Sequence, residues 1–184
     1  FLLAKTLINQ SGYLNKTNPQ YTPVMIALSG GLDSTAALLR NQGLNRAVKE
    51  DNKVILKQIV PLHDWSQEQA YQTGMALLKR YPETNIIWCA SQVIAAGAID
   101  AVRAHEKIPG KDVLIGGVGW SAKTLNSVRE GMISASVGGH FMEGAWAMVL
   151  IYDYSNGLDF AEDTGVAIIS NFDIIVRGAD VDRL

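Results

Sequence analysis

A single cysteine in 184 residues rules out an intrachain disulfide framework. That residue, Cys89, ends the apolar run NIIWC, where a thiol is expected to be buried and inert; use as a nucleophile is the rival reading. Charge of one sign is missing too: 16 basic and 18 acidic residues, interspersed, leave a formal net charge of −2. With no extended positive surface there is no electrostatic basis for holding a phosphate backbone, so nucleic acid is set aside as a partner. The three histidines, His63, His105 and His140, follow different elements and have no serine or cysteine placed beside them as a nucleophile. His140 and Glu143 have the helical spacing of a metal pair but lack a third ligand, so no metal or other cofactor is implied, and enzyme chemistry is not expected. No apolar run approaches the roughly 20 residues that span a bilayer, which argues against direct membrane insertion. The opening FLLAKTLINQ has no charged leader, cleavage site or initiator methionine, and a trimmed chain is the expectation, with a signal peptide or a preceding lobe upstream.

What the chain does have is an alternation. Apolar PVMIALS is followed by helical STAALLRNQGLNRAVKED, apolar KVILKQIVPL by SQEQAYQTGMALLKRY, apolar NIIWCA by QVIAAGAIDAVRAHE, and apolar DVLIGGVG by SAKTLNSVREG. Units of this kind, about 30 residues each, predict right-handed βαβ crossovers and an α/β fold: a parallel sheet covered on both faces, three layers in all. A short strand ISASV leads into a long helix, FMEGAWAMVLIYDYSNG, and GVAIIS and FDIIV close the chain as strands. The expected division is a helix and loop over 1–22, a ligand-binding lobe over 23–170, and a strand and tail over 171–184. Within the first of these, the helix is expected over FLLAKTLINQ and a loop over SGYLNKTNPQYT, from its Gly, Asn and Pro.

The stretch SGGLDS, between the first strand and its helix, admits two readings. It resembles the pyrophosphate loop of the N-type ATP pyrophosphatases, with Ser29, Gly30, Gly31, Asp33 and Ser34 matching; an adenylating enzyme is the alternative function on that basis. It is also a plain strand-to-helix turn, capped by Asp33 or Ser34, of a helix that begins at Thr35. The rest of the chain shows no second nucleotide motif and no acidic pair placed for magnesium.

Other segments follow one another in a different family's order: RNQGLNRAV (40–48), DWSQEQAYQ (64–72), YPETNIIWCASQVIAAGAIDAV (81–102), DVLIGGVG (112–119) and VREGMISASV (128–137). Over about residues 23–150 the chain resembles the second half of a type I periplasmic binding protein, the fold of the ribose-binding and quorum-signal-binding proteins. The matches are Arg40 with Gly43, Asp64 with Trp65, Pro82, Ala95 with Gly97 and Ala98, Gly116 with Gly117, and Gly131 through Val137. Small Gly97 and Ala98 are expected to let their helix lie close to the sheet, and Gly43 to end or bend the helix that carries Arg40. On this resemblance SGGLDS lies at the carboxyl end of the first strand, where open α/β sheets bind ligands, and Ser29 and Asp33 face a cleft.

The resemblance implies a non-enzymatic, periplasmic receptor that traps a small polar ligand, sugar-like or a signalling molecule, by closure against a partner lobe. The closed form would be read by a membrane permease or by the periplasmic sensor domain of a histidine kinase, the short closing SNFDIIVRGADVDRL tilting toward the sensor. Trp65 falls where the family stacks an aromatic ring on its ligand, and Ser91 and Gln92 occupy the pair where many sugar binders carry Asn-Asp. Leu38, Gly119 and Gly139 stand where polar groups are usual, which puts a conventional pentose or hexose in doubt. Trp120 and His140, beside those emptied positions, are the replacements expected to supply an aromatic wall and a titratable hydrogen-bonding group.

Overall fold

The computed structural model describes residues 1–14, 21–51, 53–140, 143–159 and 173–183. Its described strands form one six-stranded sheet in the order β2-β1-β3-β4-β5-β6: β1 Val24–Gly30, β2 Ile55–Leu62, β3 Ile86–Cys89, β4 Leu114–Val118, β5 Ala135–Gly138 and β6 Asp173–Ile175. β1 through β5 pair in parallel, as alternation with helices requires. β1 is buried along its whole length, whereas β2, at the sheet edge, exposes Ile55, Lys57 and Pro61. The expected strand GVAIIS lies outside the described residues.

Helices α2 (Thr35–Glu50), α3 (Gln67–Arg80), α4 (Gln92–Ala104) and α5 (Ala122–Arg129) each follow one of the first four strands. Every one begins at a serine whose hydroxyl accepts an amide three residues on: Ser34 from Ala37, Ser66 from Gln69, Ser91 from Ile94 and Ser121 from Thr124, at 3.0–3.4 Å. The four strand-to-helix turns therefore have one construction, and Ser34 rather than Asp33 is the cap of the first.

The chain steps outward from β1 to β2 through α2, then returns across β1 to β3 through α3 and continues in that direction through α4. Right-handed crossovers put α2 on one face and α3 and α4 on the other. The strand alternation agrees: the Ser29 side chain reaches Asn41 of α2, so Leu28 and Gly30 point the opposite way. The reversal makes the carboxyl ends of β1 and β3 a topological switch point.

Three local expectations change. Helix α1 runs Leu2–Leu14, through Ser11 and Gly12, and does not stop before them. Its Leu3 and Leu7 are buried, close over Gly116 of β4, so α1 packs on the sheet. Gly43 neither ends nor bends α2, which continues to Glu50; it stands where the Phe1 backbone nitrogen comes within 2.5 Å of where a Cβ would be. Gly97 serves helix–helix contact, its missing Cβ leaving room for the Gln67 carbonyl and Ala70 of α3.

Two compact units result, Phe1–Val137 with Ile174–Leu184, and Gly138–Asp173. The first unit takes in the chain's end because Ile175 of β6 and Val181 are buried in its core. The second unit carries α6 (Glu143–Ser155), none of whose residues is buried. Helix α7 (Gly178–Val181) buries Val181 in the first unit, and Asp182 beside it accepts from Arg129 of α5.

Candidate ligand-binding site

The carboxyl ends of β1, β2 and β3 converge on one aromatic residue. Gly30, last in β1, is in register with Leu62 of β2, and Trp65 follows three residues later. The Trp65 indole lies over Gly30 so closely that a Cβ built there would stand 1.8 Å from its ring. Trp65 also has a backbone φ of +55°, a left-handed conformation that a bulky residue adopts at a cost of roughly 1–3 kcal/mol. Its neighbours hold the turn: Asp64 accepts from the Ser66 amide at 2.9 Å, which keeps its carboxyl below the usual range, and its own amide donates to Gln69 Oε1. A strained, half-buried tryptophan on a glycine seat at the switch point is an arrangement that packing alone does not demand.

Arg40 closes the group from the other face of the sheet. It reaches from α2 so that Nη1 donates to the Ala90 carbonyl, just past β3, at 2.8 Å, and its guanidinium carbon is 5.9 Å from the centroid of the Trp65 ring. Three strand ends are thus tied together by one tryptophan and one arginine. Sequence reasoning gave Arg40 only a structural place. A signal was there: at helical spacing its neighbours are Ala36, Ala37, Gly43 and Leu44, so no acid on α2 balances it.

At the β3 and β4 ends the predicted residues come together, mostly occupied with one another. Ser91 caps α4. The Gln92 Oε1 accepts from the Ser121 amide at 2.8 Å and from Thr124 Oγ1 at 3.1 Å, tying α4 to the β4–α5 turn. Gly119 in that turn has φ +121°, and a Cβ there would come 2.9 Å from the Gln92 amide, so Gln92 fills the space the absent side chain leaves. Trp120 is half-buried, its Nε1 donating to the Ser136 carbonyl of β5 at 3.3 Å. The hydroxyl of Ser136 in turn donates to the Gly119 carbonyl at 3.0 Å.

The β1–α2 turn divides its two candidates. Ser29 is fully buried and its hydroxyl donates to Asn41 Oδ1 at 2.7 Å, beneath the sheet end and not above it. Asp33 is exposed and, with Gly31, Leu32, Pro61 and His63, lines a shallow depression of ≈ 270 Å³. His140 belongs to the second unit, where it follows Gly139 and is half-buried. With Trp65 seated on Gly30 and the Ser29 hydroxyl turned inward, the loop does not present the open glycine backbone a pyrophosphate needs.

Cys89 is fully buried, and burial pushes its thiol well above the usual range. In the folded protein at pH 8 it is expected to resist alkylation by iodoacetamide and to react once urea is added; rapid labelling under native conditions would show that it is accessible.

The comparisons agree with this geometry. The periplasmic binding protein domain family matches residues 3–159. A periplasmic sugar-binding protein from Pseudomonas fluorescens is 33% identical, with a TM-score of 0.83 over 98% of this chain and 56% of its own. A periplasmic solute-binding protein of an ABC transporter from Actinobacillus succinogenes, solved with D-allose, is 19% identical with a TM-score of 0.82, covering 100% of this chain and 59% of its own. The binding component of an arabinose transporter from Shewanella sp. ANA-3, solved with L-arabinofuranose, is 21% identical with a TM-score of 0.78, covering 98% and 59%. The chain thus spans less than three fifths of the length of each. Members of the matching family are non-enzymatic solute receptors. A parallel sheet with its switch point at β1 and β3, matched over residues 3–159, places this chain in the family of periplasmic binding protein domains.

Proposed function

We propose that this chain is one lobe of a periplasmic receptor that captures a small sugar-like solute on the crown of strand ends and delivers it to an ABC transporter permease. The observation that carries this reading is the Trp65 indole, held in a strained backbone on Gly30 beside Arg40, where an open α/β sheet offers its crevice. An aromatic face gives a ring of C–H groups a flat apolar contact, and polar atoms around it fix orientation. Trp120 forms a second wall; Ser91 and Gln92 supply hydrogen bonds at its edge; Asp33 sits on the rim; Ser29 acts from below by holding α2. The relatives that belong to ABC transporters support a permease as the reader, and no feature of the fold favours a sensor kinase over it. Closure against a second lobe would shield the solute from water and provide the signal the permease reads.

Titration of the full-length protein with aldoses and polyols in a calorimeter tests the reading. Trp65→Ala is expected to weaken the solute by about 1–3 kcal/mol. Unchanged affinity in a folded variant would remove the tryptophan from the site.

A further inference from the structure

Arg40 is half-buried, and among the described residues it pairs with no carboxylate. One of its donors is used by the Ala90 carbonyl, and among the described residues its remaining neighbour is the face of the Trp65 ring, with no further hydrogen bond. Burial lowers its pKa, and no neighbouring negative charge opposes that effect. A guanidinium withdrawn from water without a counter-ion is an uncompensated charge, and proteins rarely leave one beside a binding surface unless something arrives to meet it.

The hydrogen-bonding polarity around it points the same way. At the β3 and β4 ends the acceptors are already engaged: the Ala90 carbonyl by Arg40, the Ser91 oxygen by the Ile94 amide, and Gln92 Oε1 by Ser121 and Thr124. What remains is donors: the other guanidinium N–H groups, the Ser91 hydroxyl proton and the Gln92 Nε2. The acids of the neighbouring turns are Asp33, exposed on the rim, and Asp64, bound to the Ser66 amide. A sugar hydroxyl must donate as well as accept, whereas a carboxylate or phosphate oxygen only accepts. Gly119 sharpens the contrast, since the polar group usual there by resemblance is missing and the Gln92 amide lies across the space.

We propose that the solute carries an anionic oxygen group, a carboxylate or a phosphate ester, which Arg40 receives at the crest between β1 and β3 while Trp65 contacts the adjoining ring. The assignment rests on the solute-receptor reading and narrows its substrate class to acidic sugars. Arginine suits the task because its planar fork meets two oxygens at once.

Calorimetric titration of the full-length protein should compare matched sets: D-galactose, D-galacturonate and galactose 6-phosphate, and D-ribose, D-ribonate and ribose 5-phosphate. At least one acid is expected to bind tenfold or more tighter than its neutral parent, and the preferred acid separates carboxylate from phosphate. Arg40→Gln should abolish that preference, bringing acid and neutral parent to within about twofold of each other, and Arg40→Lys should restore part of it, with melting temperatures establishing that both variants are folded. Neutral parents binding as tightly as their acids would overturn the anionic assignment and leave the receptor reading standing. Binding of no probe would count against both.

Discussion

Gly30→Ala is expected to cost the protein its ligand affinity far more than its stability. A Cβ at this position would occupy the Trp65 ring, 1.8 Å from Cζ2 and 2.2 Å from Cε2 and Cη2. Those atoms are the far end of a side chain on a half-exposed turn, so the indole can swing away. Stability should fall by about 1–3 kcal/mol, as for an overpacked site with some freedom to relax. The displaced ring leaves the Arg40 guanidinium and, on the proposed reading, the solute, so affinity should drop at least as far as in Trp65→Ala. A double-mutant cycle isolates the cause: with Trp65 already alanine, Gly30→Ala should be nearly neutral, giving a coupling of about 0.5–3 kcal/mol. Additive effects, or a Gly30→Ala protein that binds as the wild type does, would mean that the indole does not depend on its glycine seat.

The same contact shows why the sequence disclosed the fold more readily than the site. Strands and helices are written in periodicity, and that signal is local: apolar runs became β1 to β5, and Ser34, Ser66, Ser91 and Ser121, each just ahead of a helical run, became caps. Trp65 drew an expectation of ligand contact from the resemblance, but its seat was not legible, since Gly30 and Trp65 meet only after the chain has passed through α2 and β2. Arg40 was read as scaffolding for the same reason, because the Ala90 carbonyl it holds is fifty residues away along the chain. Gln92 was legible as a polar group at a strand end; that it fills the space beside Gly119 depends on how α4 meets the β4–α5 turn. The roles of α1 and α6 were not legible, because both helices look apolar in sequence. Leu3, Leu7 and Ile8 of α1 are buried, whereas no residue of α6 is. Hydrophobicity states that a face needs covering and not what covers it.

Gly97→Ala is expected to produce a large loss of stability. A Cβ on Gly97 would stand 2.2 Å from the Gln67 carbonyl oxygen, 2.7 Å from the Ala70 Cβ and 2.8 Å from the Tyr71 amide nitrogen. Two of these three are backbone atoms of α3, which cannot step aside as an indole can; α3 and α4 must separate, and with them the contact of Gly74 against Ala101. The cost should reach the upper end of the overpacking range, about 3 kcal/mol, despite the gain of roughly 1 kcal/mol in helix propensity from Gly to Ala. Gly12→Ala in α1, where nothing lies within 4 Å of the new methyl, is the control: it should stabilise the protein by a few tenths to about 1 kcal/mol. Urea unfolding of both variants decides the matter. A Gly97→Ala protein as stable as Gly12→Ala would show that α3 and α4 are not held at glycine distance. The turns that begin these two helices, and the Trp65 and Ser91 they position, would then owe their placement to the serine caps alone.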